Sequence, residues 1–328
     1  MTKCFSITAS TNWCFKYIFI YSGLRSTFTD LKDGTFMHCW VPRTRKPTRP
    51  NVLLIHGFGA NPTWQWLSTV RSLAPHFNIY VPELVFFGDS FTTRPERTEA
   101  FQAECVKQVM EMNSVDRVMV VGLSYGGFVA YSMASQFKEL VERVVICCSG
   151  VALEDKDLRE GLFPVREVEE AANMLVPRSK EKLKELFGYT FVKPPKVLPS
   201  CFLDDFIYEM SAQYAEEKRD LLRSIANGRK LSELPKISQP TLIIWGDQDK
   251  IFPLQLAYRL KSHLGEIAQV TTIKETGHAC IYEKSKEFHK HLKSFLLKPI
   301  NDTKVQTSTL PHHRVEENGN QGQVTLVT

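Results

Sequence analysis

The feature that most constrains the fold is an apolar run that leads directly into a serine flanked by glycines. Residues 118–121 are Val-Met-Val-Val, an unbroken run typical of a strand buried on both faces of a sheet. The run continues into Gly122-Leu123-Ser124-Tyr125-Gly126, and apolar residues then recur at helical spacing up to residue 137. A serine on a sharp strand-to-helix turn has a strained backbone, and side chains two residues away on either side would collide. The pattern therefore predicts a strand, a turn and a helix, with Ser124 at the tip as a nucleophile.

Apolar runs of strand length alternate with helical patterns along most of the 328 residues. This alternation predicts an α/β protein with a doubly wound, mostly parallel sheet. In such sheets the ligand site lies beyond the carboxyl ends of the strands. The predicted strands cover residues 35–41, 51–55, 77–81, 118–121, 141–148, 241–245 and 270–274. A further short strand is predicted before the tight turn at Asp33-Gly34.

One charge-rich stretch with helical patterns and no strand-like run interrupts this alternation and predicts an inserted helical lid. A polar stretch with few large hydrophobic residues predicts a disordered tail at the C-terminus. The predicted organisation is an N-terminal helical segment at 1–30, a first core part at 31–150, the lid at 151–235, a second core part at 236–299, and the tail at 300–328.

A nucleophilic serine needs a general base, and the base needs a carboxylate that fixes its tautomer. His278 follows the last predicted strand directly and is the best candidate for the base. His56, which also follows a strand, is interpreted as a structural residue that braces its loop. Asp247 and Asp249 both follow the strand at 241–245, so one is expected to be catalytic and the other to stabilise a turn.

The oxyanion of a tetrahedral intermediate needs backbone N–H donors that are already in place. The turn itself supplies the N–H of Tyr125, and the glycine-containing loop at 56–59 is expected to supply that of Phe58. Trp64 and Phe87 are the candidates for substrate contact, although aromatic residues in such positions more often belong to the core.

These segments together resemble the α/β-hydrolase fold superfamily, in the branch that carries a helical cap. The resemblance is carried by His56-Gly57-Phe58-Gly59, by the serine motif, by Gly246-Asp247-Gln248-Asp249 and by Gly277-His278. It implies that Asp249 is the acid, which gives the order Ser124, Asp249, His278. The chain also looks similar to plant α/β-hydrolases that resemble monoacylglycerol lipases and meta-cleavage hydrolases. Relatives with an aspartate nucleophile are excluded, since residue 124 is a serine.

The resemblance implies a serine hydrolase that cleaves a carboxylic ester, either lipid-like or from specialised metabolism, with an apolar small molecule as substrate. Three alternatives stay open: a C–C bond hydrolase of the meta-cleavage type, an acyltransferase, and a ligand receptor that retains the three residues. Neither a metal nor an organic cofactor is predicted.

The composition of the chain indicates which partners and which cellular compartment are expected. The net charge of +5 is mild and dispersed, so a nucleic-acid partner is not predicted. The eight cysteines lack metal-binding spacing and indicate free thiols in a reducing, cytoplasmic compartment. Residues 13–21 are apolar but too short to span a bilayer, which needs about 20 residues. They are expected either to pack on the main domain or to form an interfacial helix that contacts a membrane. The sequence leaves the oligomeric state open.

Overall fold

A central nine-stranded sheet organises the protein in a computed structural model that describes residues 6–196 and 198–299. The disordered tail predicted at 300–328 lies outside the described residues. The strands are β1 (Leu24–Asp30), β2 (Thr35–Pro42), β3 (Asn51–Ile55), β4 (Asn78–Pro82), β5 (Phe91–Thr92), β6 (Val118–Leu123), β7 (Val141–Cys147), β8 (Thr241–Gly246) and β9 (Ala268–Ile273).

The strand order is β1-β2-β4-β3-β6-β7-β8-β9, with the short β5 added beside β2. All pairs from β4 through to β9 are parallel, whereas β2 is antiparallel to each of its neighbours. This confirms the predicted doubly wound, mostly parallel sheet. The central strands β3, β4, β6 and β8 are buried along their whole length, which explains their uninterrupted apolar sequences.

Twelve α-helices accompany the sheet in the part of the chain that the structure describes. They are α1 (Ile7–Tyr21), α2 (Pro62–Leu73), α3 (Glu99–Met112), α4 (Tyr125–Gln136), α5 (Asp155–Arg159), α6 (Val168–Leu175), α7 (Lys180–Thr190), α8 (Ser200–Phe206), α9 (Ala215–Ala226), α10 (Gln255–Leu264), α11 (Cys280–Glu283) and α12 (Ser285–Leu296).

Helices α5 to α9 all lie between β7 and β8 in the chain, and this inserted helical segment is called the cap below. Helices α6, α7 and α8 share an apolar cluster that also includes Ile251, from the loop after β8, and the half-buried Trp64 of α2. The cap thereby packs against the edge of the sheet where the parallel strands end. One π-helical turn, Ile207–Ser211, joins α8 to the segment before α9.

The N-terminal segment is only partly helical, so the prediction of a helical region over residues 1–30 is wrong for its second half. Helix α1 ends at Tyr21, Gly23 adopts a positive φ of 90°, and Leu24–Asp30 forms the edge strand β1. Strand β1 pairs along its whole length with β2. Only Leu24 and Thr29 of this strand are buried, as is typical of a strand at the edge of a sheet, and its β-branched and aromatic residues favour the extended conformation.

Strands β3 and β6 are neighbours, but the chain leaves them in opposite directions, toward β4 and toward β7. This reversal is a topological switch point, where open α/β sheets form their ligand crevice. The loop that starts at His56 and the turn at Ser124 lie at this point, because Ile55 pairs with Gly122.

Candidate active site

Ser124 lies on a strained turn between β6 and α4. Its φ of 54° and ψ of −120° are unusual for a residue with a side chain. A Cβ placed on Gly126 would lie 2.2 Å from the carbonyl oxygen of Ile55, and one placed on Gly122 would lie 2.2 Å from that of Gly126. Neither distance is tolerable for real atoms, so the turn requires both glycines of the motif.

A histidine and an aspartate are held together at the ends of β8 and β9. His278 Nδ1 lies 2.9 Å from Asp249 Oδ2, and the Asp249 side chain is fully buried. The other oxygen of Asp249 accepts the backbone N–H groups of Ile251 and Phe252, at 2.8 and 2.9 Å. Asp247 instead accepts the N–H of Thr276 at 3.3 Å. The structure thus brings Asp249 to His278 and places Asp247 in a turn.

The end of β7 connects the serine to this pair. The N–H of Ser124 donates to the carbonyl of Cys147 at 2.8 Å. The next residue, Cys148, places its Sγ within 4.8 Å of the ligating atoms of both Asp249 and His278. Because Asp249 faces Nδ1, the imidazole carries its proton there and leaves Nε2 as an acceptor. The three predicted catalytic residues therefore follow strands on the same edge of the sheet.

Within residues 6–196 and 198–299, the cluster Cys148, Asp249 and His278 comes nearest to a metal-binding set. Two of its members already bond to each other. Burial raises the pKa of the Cys148 thiol well above its usual range, which disfavours the thiolate that a metal requires. The donors of this cluster do not fit a resident metal.

The loop after β3 lies directly against the serine. A Cβ on Gly57 would approach Ser124 Cβ to 2.7 Å and Ser124 Oγ to 3.3 Å, so only glycine allows this contact. The N–H of Phe58 has no hydrogen-bond acceptor among the described residues. The N–H of Tyr125 is the first of α4 and has no acceptor within that helix. Both amides belong to segments that adjoin Ser124.

Two buried side chains brace this loop from opposite sides. Gln65 accepts the Gly57 N–H at 2.8 Å and donates to the carbonyls of Gly57 at 2.9 Å, of Phe58 at 3.2 Å and of Ala60 at 2.6 Å. His56 accepts the Leu84 N–H at Nε2 and therefore donates from Nδ1 to the Gly57 carbonyl. Burial lowers the pKa of His56 to about 4, so this imidazole stays neutral.

The structural interpretation of His56 agrees with these bonds, whereas sequence reasoning missed Gln65. Gln65 lies on α2, eight residues after the glycine that it holds, and its type and spacing give no signal of that role.

The two candidates for substrate contact lie in different surroundings. Phe87 packs its ring against those of Phe58 and Tyr125, with centroids 5.0 and 6.4 Å apart, and it lines a cavity beside the loop. Trp64 contacts Phe15 of α1 and Phe206 of the cap, at 5.2 and 5.9 Å. Trp64 thus joins α1 and α2 to the cap, and only Phe87 adjoins the catalytic loops.

A further residue that the sequence did not reveal, Glu283, fixes the histidine loop to the cap. One of its carboxylate oxygens accepts the Gly277 N–H at 2.6 Å, and the other accepts the Val192 N–H at 2.8 Å. The Ala279 N–H donates to the carbonyl of Thr190, at the end of α7. Of the two neighbours of His278, Ala279 therefore bonds directly to the cap, and Gly277 is linked to it through Glu283.

Comparison with known proteins agrees with this architecture. The sequence model of the alpha/beta hydrolase fold family matches residues 50–285, more than half of the chain. The monoacylglycerol lipase ABHD6 of Mus musculus is 25% identical over 292 residues, which covers 84% of this chain and 83% of that protein.

Two solved structures illustrate the range of chemistry among similar folds. A bacterial membrane phospholipase A aligns with a TM-score of 0.73 and 26% identity, covering 88% of this chain and 89% of its own. A meta-cleavage product hydrolase from Pseudomonas fluorescens IP01 aligns with a TM-score of 0.67 and 21% identity, covering 84% of this chain and 98% of its own. The family model and the lipase relative support a hydrolase, whereas the second structure, at 21% identity, supports the fold alone. The chain belongs to the α/β-hydrolase fold family.

Proposed function

We propose that the protein is a serine hydrolase that cleaves a carboxylic ester through an acyl-enzyme on Ser124. The observation that carries this proposal is the convergence at one sheet edge of a strained serine turn, a bonded His278–Asp249 pair and a loop with a free amide. A serine needs a base and oriented N–H donors for acyl transfer, and these segments supply both.

Each residue has a defined task in the proposed reaction. Nε2 of His278 removes the proton of Ser124 Oγ as that oxygen attacks the ester carbonyl, and Asp249 stabilises the imidazolium. The amides of Phe58 and Tyr125 donate to the developing oxyanion. The imidazolium then protonates the leaving alcohol, and the same Nε2 activates the water that hydrolyses the acyl-enzyme.

An apolar cavity of about 70 Å³ under the cap supports an apolar acyl group. Phe252, which closes one side of it, lies 5.8 Å from the ring of His278, so the cavity begins beside the proposed base. Only hydrophobic side chains line this cavity, among them Leu153, Leu158, Phe163, Met174, Leu222 and Ile251. A hydrocarbon chain would gain about 25 cal/mol for each Å² that it buries there.

The test combines labelling with turnover. The purified protein should react with a fluorophosphonate probe and hydrolyse p-nitrophenyl esters, and Ser124→Ala should abolish both. A folded wild-type protein that does neither would refute the proposal. Labelling without sustained turnover would instead favour the receptor alternative. Ester transfer to an added alcohol, or cleavage of a vinylogous diketone in preference to every ester, would favour the acyltransferase and C–C hydrolase alternatives.

We further propose that the protein resides in the cytoplasm and contacts a membrane surface through residues 13–21. None of the helices in the described ranges could cross a membrane. Helix α1 nonetheless exposes a row of apolar side chains, contains no acidic residue and buries only Thr8 and Phe19. Its exposed members are Ile7, Trp13, Tyr17, Ile20 and Tyr21. An amphipathic helix with exposed Trp and Tyr suits the interfacial region of a bilayer.

Vesicle sedimentation tests this location. The wild-type protein should sediment with phospholipid vesicles, and Trp13→Ser combined with Tyr17→Ser should release it. Replacement of the exposed Tyr258, which lies on α10, is the matched control. Equal sedimentation of all three proteins would refute a role for α1.

The seven described cysteines are free thiols, which supports the reducing compartment.

A further inference from the structure

A second cavity, different in character from the apolar one, is lined in part by the oxyanion loop. Its volume is about 210 Å³, room for about seven water molecules. The loop at 58–61 forms one wall, and Phe87 to Asp89 form the next. Asn12 and Lys16 of α1 and the cap segment around Met210 complete it. Phe58 borders this cavity with the same loop that adjoins Ser124.

The polar group at the depth of this cavity is the ammonium of Lys218, on cap helix α9. Only 4% of Lys218 is exposed. Its Nζ donates to the carbonyl of Met210 at 3.2 Å and lies 5.2 Å from the centre of the Phe87 ring. No carboxylate within residues 6–196 and 198–299 forms an ion pair with it. An ammonium has three donors, and a buried charge with one backbone acceptor is poorly compensated.

The acidic residues of the same cavity do not neutralise this charge. Glu83 is buried, but its Oε2 accepts the Asp89 N–H at 2.8 Å and lies 3.2 Å from His38 Nδ1. Asp89 and Glu209 are exposed, so solvent screens their charges. Burial lowers the pKa of Lys218 to about 8, which leaves the amine mostly protonated at neutral pH. Lys218 is therefore a buried cation of this cavity that has no ion-pair partner among the described residues.

The cap backbone at this wall is irregular, as it often is at functional sites. The π-helical turn Ile207–Ser211 contributes Glu209, Met210 and Ser211 to the lining. Tyr214, which precedes α9, adopts a left-handed conformation with φ 53°. These departures direct the Met210 carbonyl and the Lys218 side chain toward the same place.

We propose that Lys218 binds an anionic oxygen group, a carboxylate or a phosphate, carried by the substrate near its ester bond. This inference rests on the proposed function, because the cavity adjoins the oxyanion loop of that reaction. The anion accepts the ammonium N–H groups that lack an acceptor. The substrate is then an amphiphilic ester, with its hydrocarbon part in the apolar cavity and its charged part at Lys218.

Two pairs of esters test the proposal and locate the anion. The first pair is 1-acylglycerol 3-phosphate and 1-acylglycerol, in which the charged member carries its phosphate on the alcohol part of the ester. p-Nitrophenyl hydrogen glutarate is compared with p-nitrophenyl pentanoate, which places the charge on the acyl part. Wild-type protein should favour the charged member of one pair in kcat/KM. Lys218→Met should reduce that preference about 10- to 100-fold, the range for a lost charge-assisted hydrogen bond. Lys182→Met, an exposed change on α7, should retain it.

A binding measurement keeps the proposal separate from the proposed reaction. Ser124→Ala protein is titrated with glycerol 3-phosphate and with glycerol, and tighter binding of the phosphate that disappears with Lys218→Met supports the inference. Equal binding of both compounds, or an unchanged preference in Lys218→Met, overturns it. Loss of labelling and of turnover with every ester would instead overturn the proposed function, and the titration would still decide the role of Lys218.

Discussion

Replacement of Gln65 by methionine is expected to disable the oxyanion loop while the proposed catalytic residues stay in place. Gln65 is 4% exposed and satisfies the Gly57 N–H and three carbonyls of the loop. Methionine has a similar length but replaces none of these bonds. The Gly57 N–H is left buried without an acceptor, which costs about 1–3 kcal/mol. The Phe58 amide loses its fixed position, and loss of one oxyanion donor lowers kcat by about 10² to 10³.

Gln102→Met is the matched control for this change. Gln102 is also fully buried and also bonds both the N–H and the carbonyl of one residue, Val85. Its loss should lower the melting temperature by a similar amount, a few degrees at about 2–4 °C for each kcal/mol. It should leave kcat nearly unchanged, since Val85 is not an oxyanion donor.

The assay is steady-state hydrolysis of a p-nitrophenyl ester, together with thermal unfolding of both variants. A Gln65→Met protein with kcat within about threefold of Gln102→Met, at equal stability, would refute the reasoning that Gln65 fixes the Phe58 donor.

Three other predictions follow from bonds described above. Asp249→Asn should lower kcat for ester hydrolysis about 10⁴-fold, the loss known for this change in a Ser-His-Asp triad. Asp247→Asn should lower kcat far less in the same assay. The reverse order would contradict the assignment of the acid. Glu283→Gln places an amide N–H₂ group toward a backbone N–H, so the His278 loop should be displaced. The displacement should lower kcat up to about 100-fold, while the fluorophosphonate still labels Ser124 slowly. An unchanged kcat would show that the position of the loop does not depend on Glu283. Burial lowers the pKa of both His56 and His289 to about 4, below the unfolded value near 6.5, so both are neutral in the folded protein and take up protons on unfolding. The free energy of unfolding in urea should therefore decrease as the pH falls from about 6.5 to 4, and it should decrease less in His289→Gln. A flat profile across that range would contradict the buried neutral histidines.

The sequence predicted those parts of the protein whose physical cause is local. The elbow at Ser124 follows from glycine spacing after a buried strand, and that cause acts within about ten residues. The doubly wound sheet followed from alternating patterns and is confirmed. A short strand was predicted before the turn at Asp33-Gly34, but β1 already begins at Leu24, within the segment that was predicted to be helical. Its largely polar sequence has no clear strand pattern that would mark this start.

Other features depend on partners that are far apart in the chain. Glu283 bonds Val192, and Lys218 reaches Phe87, so no window of sequence contains both members of either contact. The choice between Asp247 and Asp249 was similar, because both follow β8 within three residues. Only the folded turn shows that one faces Thr276 and the other faces His278. The predicted site residues stay predictions of function, although the structure brings the three catalytic candidates to one sheet edge.

The hydrogen bonds of Glu283 tie one side of the cap to the His278 loop. A displacement of Thr190 or Val192, at the end of α7, would therefore disturb the position of His278. The opposite half carries Asp205, whose Oδ2 accepts the hydroxyl of Ser6 and the N–H of Thr8 at the start of α1. Helix α1 is thereby bonded to the half of the cap that contains α8. A membrane surface that binds α1 would therefore also act on the half of the cap that carries Asp205.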